Sequence, residues 1–238
     1  MSSASRKRAK KAVDDLGICL VYPIANKPEP PSLWHALWPK SEMSWSWDSE
    51  ADGRVADLWH LRARLAESHE VAYGKWFKGR ATFFSLPVFH ALLARICETG
   101  DPFADLTREA HDILSLLRER SPLSTKLLRQ EAGLRGKQFD RAFNAAMKML
   151  WSRLLIVGVG EVDDGAFPSL AVGATELVFE DLWLSRARVS KASGERLDEA
   201  LTRSKAFEKE QDRVLGELRA TSGRVRTPSR RVYSYEDI

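Results

Sequence analysis

Between residues 107 and 180 the spacing of apolar side chains changes period, from helical to alternating, and that order restricts the fold more than any other feature. TREAHDILSLLRER (107–120) places Ala110, Ile113, Leu114, Leu116 and Leu117 on one face of an α-helix, with Thr107 in position to cap it. Pro122 stops that helix, and residues 125–132 make a short second one closed by Gly133. After the Arg135-Gly136 turn, a third helix is predicted over 137–151. RLLIVGV (153–159) is a strand, EVDDGAF supplies an Asp-Gly turn, and a return strand falls within 166–180. Three helices followed by a two-stranded hairpin is the order of a winged helix-turn-helix.

The third helix carries the functional argument. Phe139, Phe143, Ala146, Met147 and Leu150 form one apolar stripe. Burying each phenylalanine contributes about 1.5–3 kcal/mol, enough to fix which way the helix faces. Lys137, Arg141, Asn144 and Lys148 then line up on the opposite side, with Gln138 beside them. Arg suits guanine, Asn and Gln suit adenine, and Lys suits phosphate. Lys126 and Arg129 on the second helix are further phosphate candidates. Residues 118–153 hold nine Lys/Arg and three Asp/Glu, so 9 − 3 = +6, against +4 for the whole chain. The proposed wing (160–180) is opposite in sign. It carries Glu161, Asp163, Asp164, Glu176 and Glu180 with no basic residue, and phosphates would repel it. A module that binds protein through this surface is therefore an alternative.

Upstream, PIANKPEPP (23–31) excludes a regular helix, and SLWHALWPK is at most a short turn of helix stopped at Pro39. Trp45 and Trp47 alternate with polar neighbours in a strand-like way. Residues 54–69 read as a helix through Val55, Leu58, Leu61 and Leu65. VAYGKWFKGRATFF (71–84) reads as a hairpin around Lys78-Gly79. In it Lys75, Lys78 and Arg80 interleave with aromatics that could stack bases or simply form a core. Trp76 and Phe77 are adjacent, so strand geometry points them to opposite faces, at least one outside the local core and against Trp34 or Trp38. Ser85 and Pro87 open a helix that ends at Gly100. Six of the eight tryptophans fall in residues 16–100, which suggests an aromatic core of their own.

The expected organisation is a basic disordered tail (1–15), a Trp-rich α/β domain (16–100) that a degenerate winged helix would also fit, a winged-helix domain (101–185), and a polar helix with a disordered tail (186–238). The polar helix, 194–219, either projects or packs loosely through Leu197, Leu201, Phe207, Val214 and Leu218, and offers a surface to a protein partner. No internal repeat of 20–50 residues is visible.

Catalytic and metal chemistry find little support. The histidines at 35, 60, 69, 90 and 111 have no ligand spacing, and Cys19 and Cys97 form no CxxC pair. P-loop, GxSxG and dinucleotide-binding glycine patterns are absent. No catalytic residue, metal or cofactor is expected. No apolar run reaches the ~20 residues of a membrane helix, and the basic N-terminus has no apolar segment of a signal peptide behind it. The expected location is cytoplasmic, on the nucleoid.

The segment WHLRARLAESHEVAYGKWFKGRATFFSLPVFHALL, with the helix-turn-helix and EVDDGAF hairpin that follow, resembles winged-helix proteins related to the AlkZ-type DNA glycosylases, over about residues 16–185. The resemblance implies tandem winged helices that grip DNA and, in enzymes of that type, excise alkylated or crosslinked bases. It also implies a catalytic Gln-x-Gln or Gln-x-Asp in the N-terminal part. Residues 1–129 contain no glutamine, and Gln138-Phe139-Asp140 spells the pattern only on the third helix. The expectation is an α+β protein that binds duplex DNA without assigned catalysis, in repair or transcriptional control. A divergent glycosylase is the enzymatic alternative.

Overall fold

The computed structural model describes residues 3–44, 53–165 and 168–225. Trp45, Trp47 and the C-terminal tail from 226 lie outside them. The chain is an α+β protein of many helices and two small antiparallel sheets. Its elements run α1 (Ser3–Leu16), β1 (Ile18–Leu20), α2 (Leu33–Leu37), α3 (Gly53–Glu67), β2 (Ala72–Gly74), β3 (Thr82–Phe84) and α4 (Leu86–Thr99). They continue as α5 (Arg108–Arg120), β4 (Leu123–Ser124), α6 (Thr125–Glu131), a 3-10 turn (Lys137–Phe139), α7 (Asp140–Ser152), β5 (Ile156–Val162) and β6 (Ser169–Ala174). The last helices are α8 (Thr175–Val178), α9 (Glu180–Leu184), α10 (Lys191–Arg203) and α11 (Lys205–Val225).

The two halves repeat one connectivity. Each runs helix, short strand, helix, helix, then two strands, and each sheet has its third strand in the centre: β1-β3-β2 and β4-β6-β5. Ile18 and Ala72 both pair with Phe84 in the first sheet, and Leu123 and Gly158 flank Val172 in the second. The repeated unit, residues 3–84 and 108–174, is longer than a 20–50-residue repeat.

Local signals placed most boundaries well. Thr107 accepts a hydrogen bond from the Ala110 N–H at the start of α5, and Ser124 does the same for the Leu127 N–H at the start of α6. Gly133 sits at φ 68°, the left-handed conformation that ends a helix cheaply only with glycine. Around Lys78-Gly79, both at positive φ, β2 turns back into β3.

Four expectations change. The N-terminal basic segment is no loose tail: it is α1, with Ala9 and Val13 fully buried and Lys10 and Lys11 paired four residues on to Asp14 and Asp15. Phe139 does not face inward. It is 37% exposed, because Gly136 (φ 101°) leads into a 3-10 turn and the α-helix proper begins only at Asp140. The inward stripe starts at Phe143. Trp76 and Phe77 lie past the end of β2, so strand alternation does not apply to them. Both are buried, and both pack on Phe207 at ring distances of 6.2 and 5.3 Å rather than on Trp34 or Trp38. The expected single polar helix is two, broken at Ser204, and its apolar residues Leu197, Leu201, Phe207, Val214 and Leu218 belong to the chain's own core.

The larger core runs through both halves, joining Phe84, Phe89 and Leu92 to Leu114, Leu150 and Val172. A second core, built by residues 9–83, holds Trp34, Leu58, Tyr73 and Phe83, with Leu170 packed against it.

Candidate nucleic-acid interface

The halves meet unequally: the second hairpin lies along α3, while the first hairpin approaches α7 only at Trp151. On one side β5 lies on α3 and β2. Gly158 and Gly160 allow this approach: a Cβ on Gly158 would stand 2.4 Å from the Tyr73 ring, and one on Gly160 (φ 122°) 2.5 Å from Cγ of Glu67. A buried ion pair joins Arg62 of α3 to Glu161 of β5. Arg62 Nη1 also donates to the Tyr73 hydroxyl at 3.1 Å, and its guanidinium stacks 4.3 Å from the Trp59 ring centroid. Burial pushes the Tyr73 hydroxyl pKa up despite the Arg62 cation beside it.

On the other side, the turn between β2 and β3 faces α7. Gly74 lies so close to Trp151 that a Cβ there would touch the indole at 3.4 Å. Beyond this contact the two elements diverge and leave an open groove of about 330 Å³. Lys75 and Gly79 line it from the turn, and Thr125 and Arg129 from α6. Asn144, Lys148 and the apolar wall of Phe143, Met147 and Trp151 line it from α7.

The residues singled out in the sequence divide accordingly. Lys75, Arg129, Asn144 and Lys148 come together in the groove, although they belong to different halves. Arg129 is oriented by an ion pair with Asp140 and lies 4.3 Å from the Phe143 ring centroid. Arg141 continues the exposed face of α7 outside the groove, and Lys137 and Gln138 extend it along the 3-10 turn. Lys78 and Arg80 are exposed at the tip of the first hairpin, where the Lys78 backbone N–H donates to buried Glu210 of α11 at 3.4 Å. Lys126 donates to the backbone carbonyl of Asp164.

Two of the five carboxylates of the acidic 160–180 segment are ion-paired within the molecule. Glu161 is held by Arg62, Glu176 by Arg118, and Asp164 accepts from the Ser124 hydroxyl. The Ser124 bond is the leading cause of Asp164's lowered pKa. The two paired cations, Arg62 and Arg118, lie 99 and 58 residues away in the chain, so a local charge count does not reveal them.

Sequence reasoning missed Trp151 and Arg62, and placed Met147 only in the apolar stripe. Trp151 follows Asn144, Met147 and Lys148 by seven, four and three residues, which was a usable signal. Arg62 gave none, since its partner is distant in the chain. Gln138, Phe139 and Asp140 do not line the groove, so the Gln-x-Asp pattern is not assembled there. Among the described residues, no group of three or more His, Cys, Asp or Glu could hold a metal ion. Burial pushes the Cys19 thiol up to about 12, which leaves it inert in the second core. No described helix is long and apolar enough to cross a membrane.

A family model described as AlkZ related matches residues 4–216. No curated protein and no solved structure matches the chain.

Proposed function

Starting from the fact that the chain belongs to the AlkZ-related family, we propose that it binds duplex DNA as a pair of winged helices, with the α7 face and the first hairpin as the contact surface. The observation that carries this reading is the groove that sets Lys75 of one half beside Asn144 and Lys148 of the other. Cations on two separate elements can follow two stretches of phosphate backbone, while a polar side chain between them reaches a base edge. The repeated helix–strand–helix–helix–hairpin order supports the winged-helix assignment for both halves. Relation to DNA repair glycosylases supports a role on damaged DNA, at the nucleoid. Base excision is not part of the proposal, because no carboxylate or glutamine lines the groove.

In this reading Lys148, Lys75, Lys78 and Arg80 contact phosphates, Asn144 and Arg141 face bases, and Arg129 braces the floor. Lys137 and Gln138 add contacts at the helix entrance, and Lys126 adds one beside the second hairpin. Fluorescence anisotropy with a random-sequence duplex across a salt series tests it. Affinity should fall linearly with salt on logarithmic axes. A protein that fails to bind at any salt concentration sinks the proposal and favours a protein-binding module.

A further inference from the structure

Lys75 differs from the other cations of the groove. Lys148 is exposed, and Arg129 leans on the Asp140 carboxylate. Lys75 is half-buried, and no carboxylate is paired with it among the described residues. Its neighbour Gly74 lies beside Trp151, and the groove wall is Phe143, Met147, Trp151 and Leu170. The charged groups on the elements around it are Arg62 of α3, paired with Glu161 of β5, Arg129 of α6, paired with Asp140 of α7, and Lys148 of α7; of these Arg62 acts on it as a neighbouring cation. Burial first, and the Arg62 cation second, hold the Lys75 ammonium below the usual lysine range. The exposed cations Lys148, Lys78 and Arg80 serve phosphate contact without such a setting. Desolvation and a neighbouring cation are instead the two devices that free a lysine's lone pair for attack on a carbonyl.

We propose that the Lys75 side-chain amine captures the ring-opened aldehyde of an abasic deoxyribose in duplex DNA as a reversible imine. This rests on the duplex-binding reading above and names the substrate class of the same groove. The aldehyde is an electrophile that DNA presents where a base has been lost. The nitrogen lone pair adds to C1′ and a C–N bond forms. The two amine hydrogens and the carbonyl oxygen then leave as one water molecule, giving C=N. Hydrolysis returns amine and aldehyde unchanged, so no oxidant or reductant is needed. Lys148 sits where it can hold a flanking phosphate, Arg129 braces the floor, and Asn144 faces the gap left by the missing base.

The test uses the full chain, a duplex with a single abasic site, and sodium cyanoborohydride. Hydride delivered to the imine carbon fixes it as a secondary amine that survives a denaturing gel. The wild type should give a one-to-one adduct, with the modified peptide containing Lys75. Lys75→Arg and Lys75→Gln should lose it, while Lys191→Gln, on the exposed face of α10, should keep it. Binding by anisotropy and thermal melting are measured on the same samples, so adduct is read relative to DNA bound by folded protein. Wild-type protein that binds the duplex but forms no adduct overturns the imine and leaves the groove reading standing. Failure of binding and adduct together removes both. An undiminished adduct in Lys75→Arg also overturns the proposal, because the reacting amine then lies elsewhere.

Discussion

α3 and α7 occupy the same place in two copies of one connectivity, yet they meet different fates. α3 has β5 laid across it and is locked by the Arg62–Glu161 pair. α7 meets the opposing hairpin only near Trp151 and keeps Arg141, Asn144 and Lys148 in the open. The length of the hairpin makes the difference. β5 and β6 pair over six register positions and reach across the neighbouring helix, whereas β2 and β3 pair over three. The short first hairpin is instead tied down from behind, by Phe207 and Glu210 of α11. Duplication alone therefore did not yield two equivalent surfaces.

That asymmetry can be attacked directly. The largest effects should come from the residues that hold the two helices. Phe143→Ala removes the aromatic wall of the groove and should cost about 3–5 kcal/mol in urea unfolding, with DNA binding lost as a consequence. Arg62→Ala strands Glu161 in a buried site and should cost a similar ~3–5 kcal/mol, whereas Arg62→Met, which retains volume, should cost less. Equal stability of Arg62→Ala and wild type would show that the pair does not lock α3.

Smaller effects should separate the faces by function. Asn144→Ala or Arg141→Ala should cost about 1–3 kcal/mol of binding, and only on a preferred sequence, as read by anisotropy on sequence variants. Lys148→Gln should weaken all duplexes alike and lower the logarithmic salt slope by about 0.9. His60→Gln on the matching helix α3 should leave the slope as it was. If the two substitutions act alike, the distinction between the helices fails.

The smallest expected effect concerns pH. The Lys75 pKa is lowered in the folded protein, so the unfolded chain binds more protons between the folded and unfolded values. Stability should therefore gain a small increment as pH rises through the lowered pKa toward 10.5. Lys75→Met should flatten that rise in alkaline denaturation curves. An unchanged curve would mean that burial of the ammonium has no cost.

Much of the second half was legible because its signals are local. The cap at Thr107, the stop at Gly133 and the inward Phe143–Leu150 stripe each depend on residues within a turn or two. Phe139 was misassigned for a local reason too. A strict 3.6-residue period was carried one turn past Gly136, where the backbone winds differently. The N-terminal basic segment and the polar C-terminal stretch misled for another reason. Their composition suits solvent, and only the arrival of partners buries Ala9, Val13, Phe207 and Leu218.

The candidate site divides along the same line. Chemical type and helical spacing by themselves marked Asn144, Lys148, Arg129 and Lys75 as cation-rich or base-reading groups. That these four border one groove, while β5 lies along one face of α3, was decided only by the packing of residues as distant as Arg62 and Glu161. Periodicity reports which face of a helix is polar. It carries no information on what another part of the chain will lay against that face, because such contacts depend on how the two halves dock.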